Sequence, residues 1–172
     1  EWLLVVFAEE SPGFYDDLLL IDSTPVECAR SRETALRSAL SDLCGYGYCA
    51  SHSRYFWGVR LHALFACDGT PRALTYCSPK RDEREVGLEL PAGCRREGGE
   101  TLLTDKGYAG REFARAVKDR EATVARPKRK DEPGDGPHLA PLRQRIESIF
   151  WTCKDILTLE RHRARTIEGL KE

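Results

Sequence analysis

The sequence predicts an α/β domain in which a mixed five-stranded sheet is flanked by helices. Three observations favour this fold. Short uninterrupted apolar runs are typical of strands that are buried on both faces. Two strand-like runs on either side of Asp68-Gly69 predict a hairpin. Segments of helical period alternate with the later strands, as expected when helices cover a sheet. The 172 residues are enough to build one core.

The first half of the chain provides one strand, a hairpin and a helix. The apolar run 18–21, followed by Asp22, predicts the first strand. Residues 25–53 lack periodicity, and they are predicted only as a long, partly helical excursion. Residues 55–66 and 72–77 form the predicted hairpin. Residues 81–90 carry helix formers and predict a helix that ends before Pro91.

The second half alternates strands and helices. Residues 101–104 predict a short buried strand that leads to Asp105, residues 107–119 a helix, and residues 122–125 another strand. The last helix is predicted over residues 139–159. At about 100° per residue, its core face carries one apolar set and the adjoining arc carries a second, polar set. The core set is Leu139, Leu142, Ile146, Ile149, Cys153 and Leu157, and the polar set is Arg143, Glu147, Trp151 and Lys154.

Composition excludes several classes of protein. The formal net charge is -1, so any nucleic-acid role must rest on local patches. Seven cysteines without a C-x-x-C pair favour reduced thiols over a disulfide framework or a zinc knuckle. No apolar run is long enough to cross a membrane, and no signal peptide is evident, so we predict a cytoplasmic protein. The sequence has no methionine, which predicts a processed product or a fragment.

Three acidic residues occupy suggestive positions. Asp22 and Asp105 each follow a buried strand, and functional sites in α/β sheets gather at strand ends. The alternative is that each caps or turns the following segment. Glu147 borders the apolar stripe of the last helix, where an i, i+4 ion pair with Arg143 is the alternative. Together, three carboxylates suit a site that holds two Mg²⁺ ions.

Four motifs in this order resemble the DDE transposases of bacterial insertion sequences. They are Ile21-Asp22-Ser23-Thr24-Pro25, residues 46–58, Leu103-Thr104-Asp105-Lys106-Gly107-Tyr108 and Arg143-Gln144-Arg145-Ile146-Glu147. The resemblance spans residues 18–171. It implies a ribonuclease H-like fold related to retroviral integrases. It also implies that Asp22, on the first strand, Asp105, on the fourth, and Glu147, on the helix after the fifth, are catalytic. These acids would bind two Mg²⁺ ions, for which Mn²⁺ substitutes.

The resemblance also implies DNA contacts. Arg143, Glu147 and Lys154 match the family pattern Y-x2-R-x3-E-x6-K, although Ala140 replaces its tyrosine. Arg143 and Lys154 are therefore expected to hold phosphates. The basic loop Lys128, Arg129 and Lys130 is predicted to follow a DNA backbone, with a solvated loop as the alternative.

Two further residues, on the second predicted strand, have an open role. Arg60 and His62 share one face of that strand, and the family often has a basic residue and a histidine there. A role beside the DNA is one interpretation of the pair. A packed, hydrogen-bonded histidine is the interpretation favoured for His62.

The predicted function is metal-dependent DNA strand cleavage and strand transfer at the ends of an insertion sequence. Residues 1–17 are assigned to an N-terminal remnant or linker, and residues 18–172 to the catalytic domain. The family also implies a separate module that recognises the element ends, which we expect to be missing here, and a homodimer when full length. An inactive remnant that still binds DNA, and a plain nuclease of the same fold, are the alternatives.

Overall fold

The structure is a computed structural model that describes residues 2–92, 98–128, 132–133 and 139–171. The α-helices are α1 (Trp2–Glu9), α2 (Arg32–Arg37), α3 (Glu83–Ala92), α4 (Arg111–Lys118), α5 (Ala140–Trp151) and α6 (Ile167–Lys171). The strands are β1 (Leu18–Ala29), β2 (Gly45–Cys49), β3 (Arg54–Ala66), β4 (Pro71–Cys77), β5 (Thr101–Leu103) and β6 (Thr123–Ala125). Short 3₁₀ helices cover Pro12–Tyr15, Ala50–His52, Lys106–Tyr108 and Leu159–Arg161, and a π-helix covers Thr152–Ile156.

The six strands form one mixed sheet. Its order is β2-β3-β1-β5-β6, and β4 also pairs with β3. Strand β3 runs antiparallel to β1, β2 and β4, whereas β1, β5 and β6 are parallel to one another. Strands β2 and β4 pair with successive parts of β3, so the sheet is five positions wide. The predicted mixed sheet with flanking helices is confirmed, and β2 is an additional strand within the excursion 25–53.

Strand β1 is longer than predicted. It continues from Leu18 to Ala29, so Asp22 lies inside the strand rather than at its end. The parallel pairing with β5 stops at Leu20, and no strand among the described residues pairs with that side of β1 beyond it. The rest of β1 is therefore an edge on this side, and an edge tolerates Pro25, which has no backbone N–H to donate. Asp22 lies where this free edge begins.

Helix boundaries also differ from the prediction. Helix α3 includes Pro91, and α5 ends at Trp151, where a π-helix replaces the predicted continuation to residue 159. A π-turn takes more residues than an α-turn, so it rotates all later side chains out of phase. Leu157, predicted to face the core, is consequently 68% exposed, while Phe150 is buried.

Hydrophobic side chains pack on both faces of the sheet. On one face, Ile21 and Leu64 pack with residues of α3 and α4. On the other face, Leu20 and Leu61 pack with Ile146 and other residues of α5. Side chains alternate along a strand, so Asp22 points to the α5 face and Ser23 to the α3 face. Among the described helices, none is long and apolar enough to span a lipid bilayer.

His62 is packed but not hydrogen-bonded. It is fully buried on the α3 face, and neither ring nitrogen has a hydrogen-bond partner among the described residues. Burial, with Arg60 and Arg81 nearby, lowers the pKa of His62 to about 4. The imidazole is therefore neutral in the folded protein at pH 7. The predicted packing of His62 is confirmed, whereas its predicted hydrogen bond is wrong.

We expect His62→Leu to stabilise the protein, and more so in acid. Removing an unsatisfied buried polar group raises the free energy of unfolding by about 1 kcal/mol at pH 7. Because the folded pKa is depressed from 6.5 to about 4, the unfolded chain binds more protons between these values. Acidification through this range therefore destabilises the wild type, by about 3 kcal/mol in all, and not the variant.

Urea unfolding of both proteins from pH 7 to pH 4 measures this difference. Asp22 titrates in the same range, but it is present in both proteins and cancels in the comparison. A constant difference across the pH range would contradict the prediction, as would a variant that is less stable than the wild type.

Candidate active site

A pocket of about 610 Å³ opens beside the free edge of β1. Strand β1 contributes Asp22, and the loop after β5 contributes Asp105. Helix α5 and the π-helix that follows it form the other side of the pocket. The pocket brings together five of the residues singled out from the sequence: Asp22, Asp105, Arg143, Glu147 and Lys154. Trp151 also lines this pocket and is 58% exposed.

Asp22 is a half-buried carboxylate of the pocket. Its Oδ1 accepts a hydrogen bond of 2.8 Å from the backbone N–H of Ser23. Burial raises the pKa of Asp22 to about 6, and the nearby carboxylates of Asp105 and Glu83 add to this, while the Ser23 amide and Arg143 oppose it. Burial thus disfavours the charged form of Asp22, and a cation bound beside it would favour that form.

Asp105 contacts a cation of the chain itself. Nη2 of Arg143 lies 3.2 Å from Oδ1 of Asp105, and the two side chains are 36% and 45% exposed. Asp105 precedes the 3₁₀ helix Lys106–Tyr108, but its side chain makes no capping hydrogen bond there. The capping alternative for Asp105 is therefore wrong.

Glu147 is exposed on α5 and forms no ion pair with another described residue. Arg143 binds Asp105 instead of Glu147, so the alternative of an i, i+4 pair on the helix surface is wrong. Nζ of Lys154, on the π-helix, lies 3.2 Å from Oε1 of Glu160. Both cations of the predicted phosphate contacts are thus held by carboxylates of the chain.

Glu83 is a fourth carboxylate of the pocket that sequence reasoning missed. It is the first residue of α3, and its Oε1 accepts a hydrogen bond of 2.9 Å from Ser23 Oγ. Arg60 forms an ion pair with the same carboxylate, and it donates hydrogen bonds to Ser23 Oγ and to the Tyr48 carbonyl. No sequence motif indicated this network, because it depends on the β1–β3 register that pairs Pro25 with Arg60.

The donor atoms of this pocket are those that bind Mg²⁺. Carboxylate oxygens are the preferred protein ligands of that ion. Among the described residues, however, no three acidic, histidine or cysteine side chains lie close enough together to hold one metal ion. The guanidinium of Arg143 forms an ion pair with Oδ1 of Asp105. The chemistry of the donors therefore fits a divalent cation, which would compete with Arg143 for Oδ1 of Asp105.

Lys128 is the described residue of the predicted basic loop. Lys128 lines a different pocket, together with Arg126 and Glu132, and its Nζ donates a hydrogen bond of 2.6 Å to the carbonyl of Pro133. Arg129 and Lys130 lie outside the described residues. The structure thus places Lys128 apart from the pocket of Asp22.

Comparison with known proteins identifies the class of this domain. Residues 14–172 match the family described as "Transposase DDE domain", and the chain belongs to that family. Among solved structures, it is similar to a cryo-EM structure of the piggyBac transposase synaptic complex with hairpin DNA, with a TM-score of 0.45 and 14% sequence identity. The match covers 68% of this chain and 24% of that transposase chain. A search of curated proteins gave no match.

Proposed function

We propose that this chain is the catalytic domain of an insertion-sequence transposase, with residues 18–172 as the domain. It would cut DNA strands at the ends of the element and join the freed 3′ ends to target DNA. The observation that carries this proposal is the convergence of Asp22, Asp105 and Glu147 on one pocket, although they are distant in sequence. Membership of the transposase family supports it.

In this proposal, Asp22, Asp105 and Glu147 hold two Mg²⁺ ions, or Mn²⁺ in their place. Such ions, when bound, activate a water or a 3′-hydroxyl and stabilise the leaving oxygen of a phosphodiester. The raised pKa of Asp22 supports cation binding, because burial among like charges disfavours a bare carboxylate.

The basic side chains of the pocket position the DNA. Arg143 can bind a phosphate through two parallel hydrogen bonds, and Lys154 acts as a point charge. When Arg143 binds a phosphate, the ion pair between Arg143 and Asp105 breaks, and the Asp105 carboxylate becomes available to bind a cation. Lys128, Arg129 and Lys130 would contact the DNA backbone further away. The full-length protein is proposed to act as a homodimer on paired ends.

One observation favours a second candidate function. Because Arg143 neutralises Asp105, and the described residues form no ready metal site, the domain also fits an inactive transposase relative that binds DNA without cutting it. A plain nuclease of the same fold would cut DNA but would not join it. The products of the reaction distinguish all three.

The test is an assay of cutting and joining that requires no knowledge of the element ends. We expect the purified protein to nick a supercoiled plasmid in Mg²⁺ or Mn²⁺, and to join a labelled oligonucleotide with a free 3′-hydroxyl to that plasmid. EDTA should stop both reactions. Nicking without joined product would support the plain nuclease, and DNA binding without either product would support the inactive relative.

A further inference from the structure

Two cations and a carboxylate meet next to the candidate active site. Lys154 comes from the π-helix, Arg54 is the first residue of β3, and Glu160 belongs to the 3₁₀ helix Leu159–Arg161. Lys154 Nζ lies 3.2 Å from Glu160 Oε1, and Arg54 Nη2 lies 3.9 Å from the same oxygen. Arg54 also binds Glu27 through its other terminal nitrogen, at 3.1 Å. Residues about 100 positions apart along the chain thus converge on one anionic oxygen.

This cluster is partly shielded from water. The Lys154 side chain is 21% exposed and that of Glu160 is 33% exposed, whereas Arg54 is 42% exposed at the rim of the cluster. Partial burial keeps such a pair from being screened as fully as a surface ion pair. Two cations directed at one oxygen atom form an anion-binding site. Here the Glu160 carboxylate occupies this site.

The cluster is continuous with the pocket of the three acids. Lys154 lines that pocket together with Asp22 and Glu147. Arg54 lies two residues after His52, which lines the same pocket together with Cys49 and Ala50. A DNA strand whose scissile phosphate lies in the pocket would therefore pass over Arg54 and Lys154 with a neighbouring phosphate.

We propose that Arg54 and Lys154 form a subsite for a backbone phosphate of DNA, and that Glu160 occupies this subsite when DNA is absent. The proposal rests on the proposed function, which already takes DNA as the ligand and Lys154 as a phosphate contact; the new elements are Arg54 and the competition by Glu160. Glu160 is then a positioning residue that competes with the phosphate. The phosphate replaces the Glu160 carboxylate, and no covalent bond changes.

This competition has a measurable signature in salt. When a cation leaves a carboxylate partner to bind a phosphate, the counterion released from the DNA is offset by one that the freed carboxylate attracts, so this cation adds little to the salt dependence of affinity. Glu160→Gln leaves Lys154 without its ion-pair partner, while Arg54 keeps Glu27. The variant should therefore bind DNA more tightly than the wild type, and its affinity should fall more steeply with salt.

The test is fluorescence anisotropy of a labelled duplex in EDTA over a range of salt concentrations. We expect Glu160→Gln to bind about fivefold to tenfold more tightly at low salt, with a salt slope steeper by up to about one. Glu168→Gln is the matched control, because it removes one negative charge from an exposed position on α6. In a Lys154→Gln background, the gain from Glu160→Gln should shrink to a small remainder.

Two results would overturn the subsite: an affinity of Glu160→Gln equal to that of Glu168→Gln, or one below the wild type. Thermal unfolding of each variant confirms that the compared proteins are folded. Binding is measured without a divalent ion, so a negative result in this test says nothing about DNA cutting, which is tested separately. If the wild type cuts DNA but Glu160→Gln binds like the control, only the subsite is wrong. If the wild type binds no DNA, the proposed function is wrong as well.

Discussion

Asp105→Asn is expected to lower the rate of metal-dependent DNA cleavage by about a thousandfold, which corresponds to about 4 kcal/mol of transition-state stabilisation. The amide has nearly the shape of the carboxylate but lacks the charge that a divalent cation requires. Asp105 is 45% exposed, and its ion pair with Arg143 is partly exposed too, so the loss of this pair costs little stability. Rates of plasmid nicking in Mn²⁺ measure the effect.

Asp119→Asn is the control for this variant. Asp119 is an exposed aspartate just after α4, and it pairs only weakly with Arg115. We expect this control to cut at the wild-type rate. Nicking by Asp105→Asn at a comparable rate would exclude Asp105 from the catalytic machinery, whereas DNA binding in EDTA should survive in both variants.

Sequence reasoning succeeded where the signal is local. The apolar run at residues 18–21 and the Asp68-Gly69 turn led to β1 and to the β3–β4 hairpin, because buried strands and tight turns are recorded in consecutive residues. Strand β2 was missed because its sequence, Gly45-Tyr46-Gly47-Tyr48-Cys49, has no apolar run and gains its order from pairing with β3. The π-helix after Trp151 was missed because helical period alone assumes an uninterrupted α-helix.

The candidate site shows the same division. The positions of Asp22, Asp105 and Glu147 were proposed from the strands and the helix that carry them, and the structure places all three in one pocket. Glu83 was not proposed, because it reaches Ser23 and Arg60 only through long-range packing. Glu160 was not proposed, because its contact with the nearby Lys154 depends on the π-helix that replaces the predicted α-helix. A charge next to a sequence motif can be predicted, whereas a charge brought by a distant element requires the register of the sheet.

Gly58 lies opposite a β-bulge at the end of the regular pairing between β1 and β3. The two strands pair regularly up to Glu27 opposite Gly58, and then shift, so that Ala29 lies opposite Trp57 and Cys28 is an extra residue. A β-bulge of this kind bends the strand and brings its backbone close to the partner. A Cβ atom at position 58 would overlap the carbonyl oxygen of Val26 and would lie 2.9 Å from the backbone nitrogen of Cys28.

Gly58→Ala is therefore expected to lower the free energy of unfolding by about 3 kcal/mol, because backbone atoms on both sides must shift to admit the methyl group. Gly45→Ala is the matched control: Gly45 pairs with Gly58 on β2, and its added methyl would first meet flexible side-chain atoms, the nearest being Ser78 Oγ at 3.3 Å. We expect the control to change stability by less than about 1 kcal/mol. Urea unfolding followed by tryptophan fluorescence measures both variants, since Trp57 is buried beside the bulge. Equal stabilities of the two variants would mean that the bulge yields easily, and that the register of β1, on which the positions of Asp22 and Ser23 depend, is not fixed by Gly58.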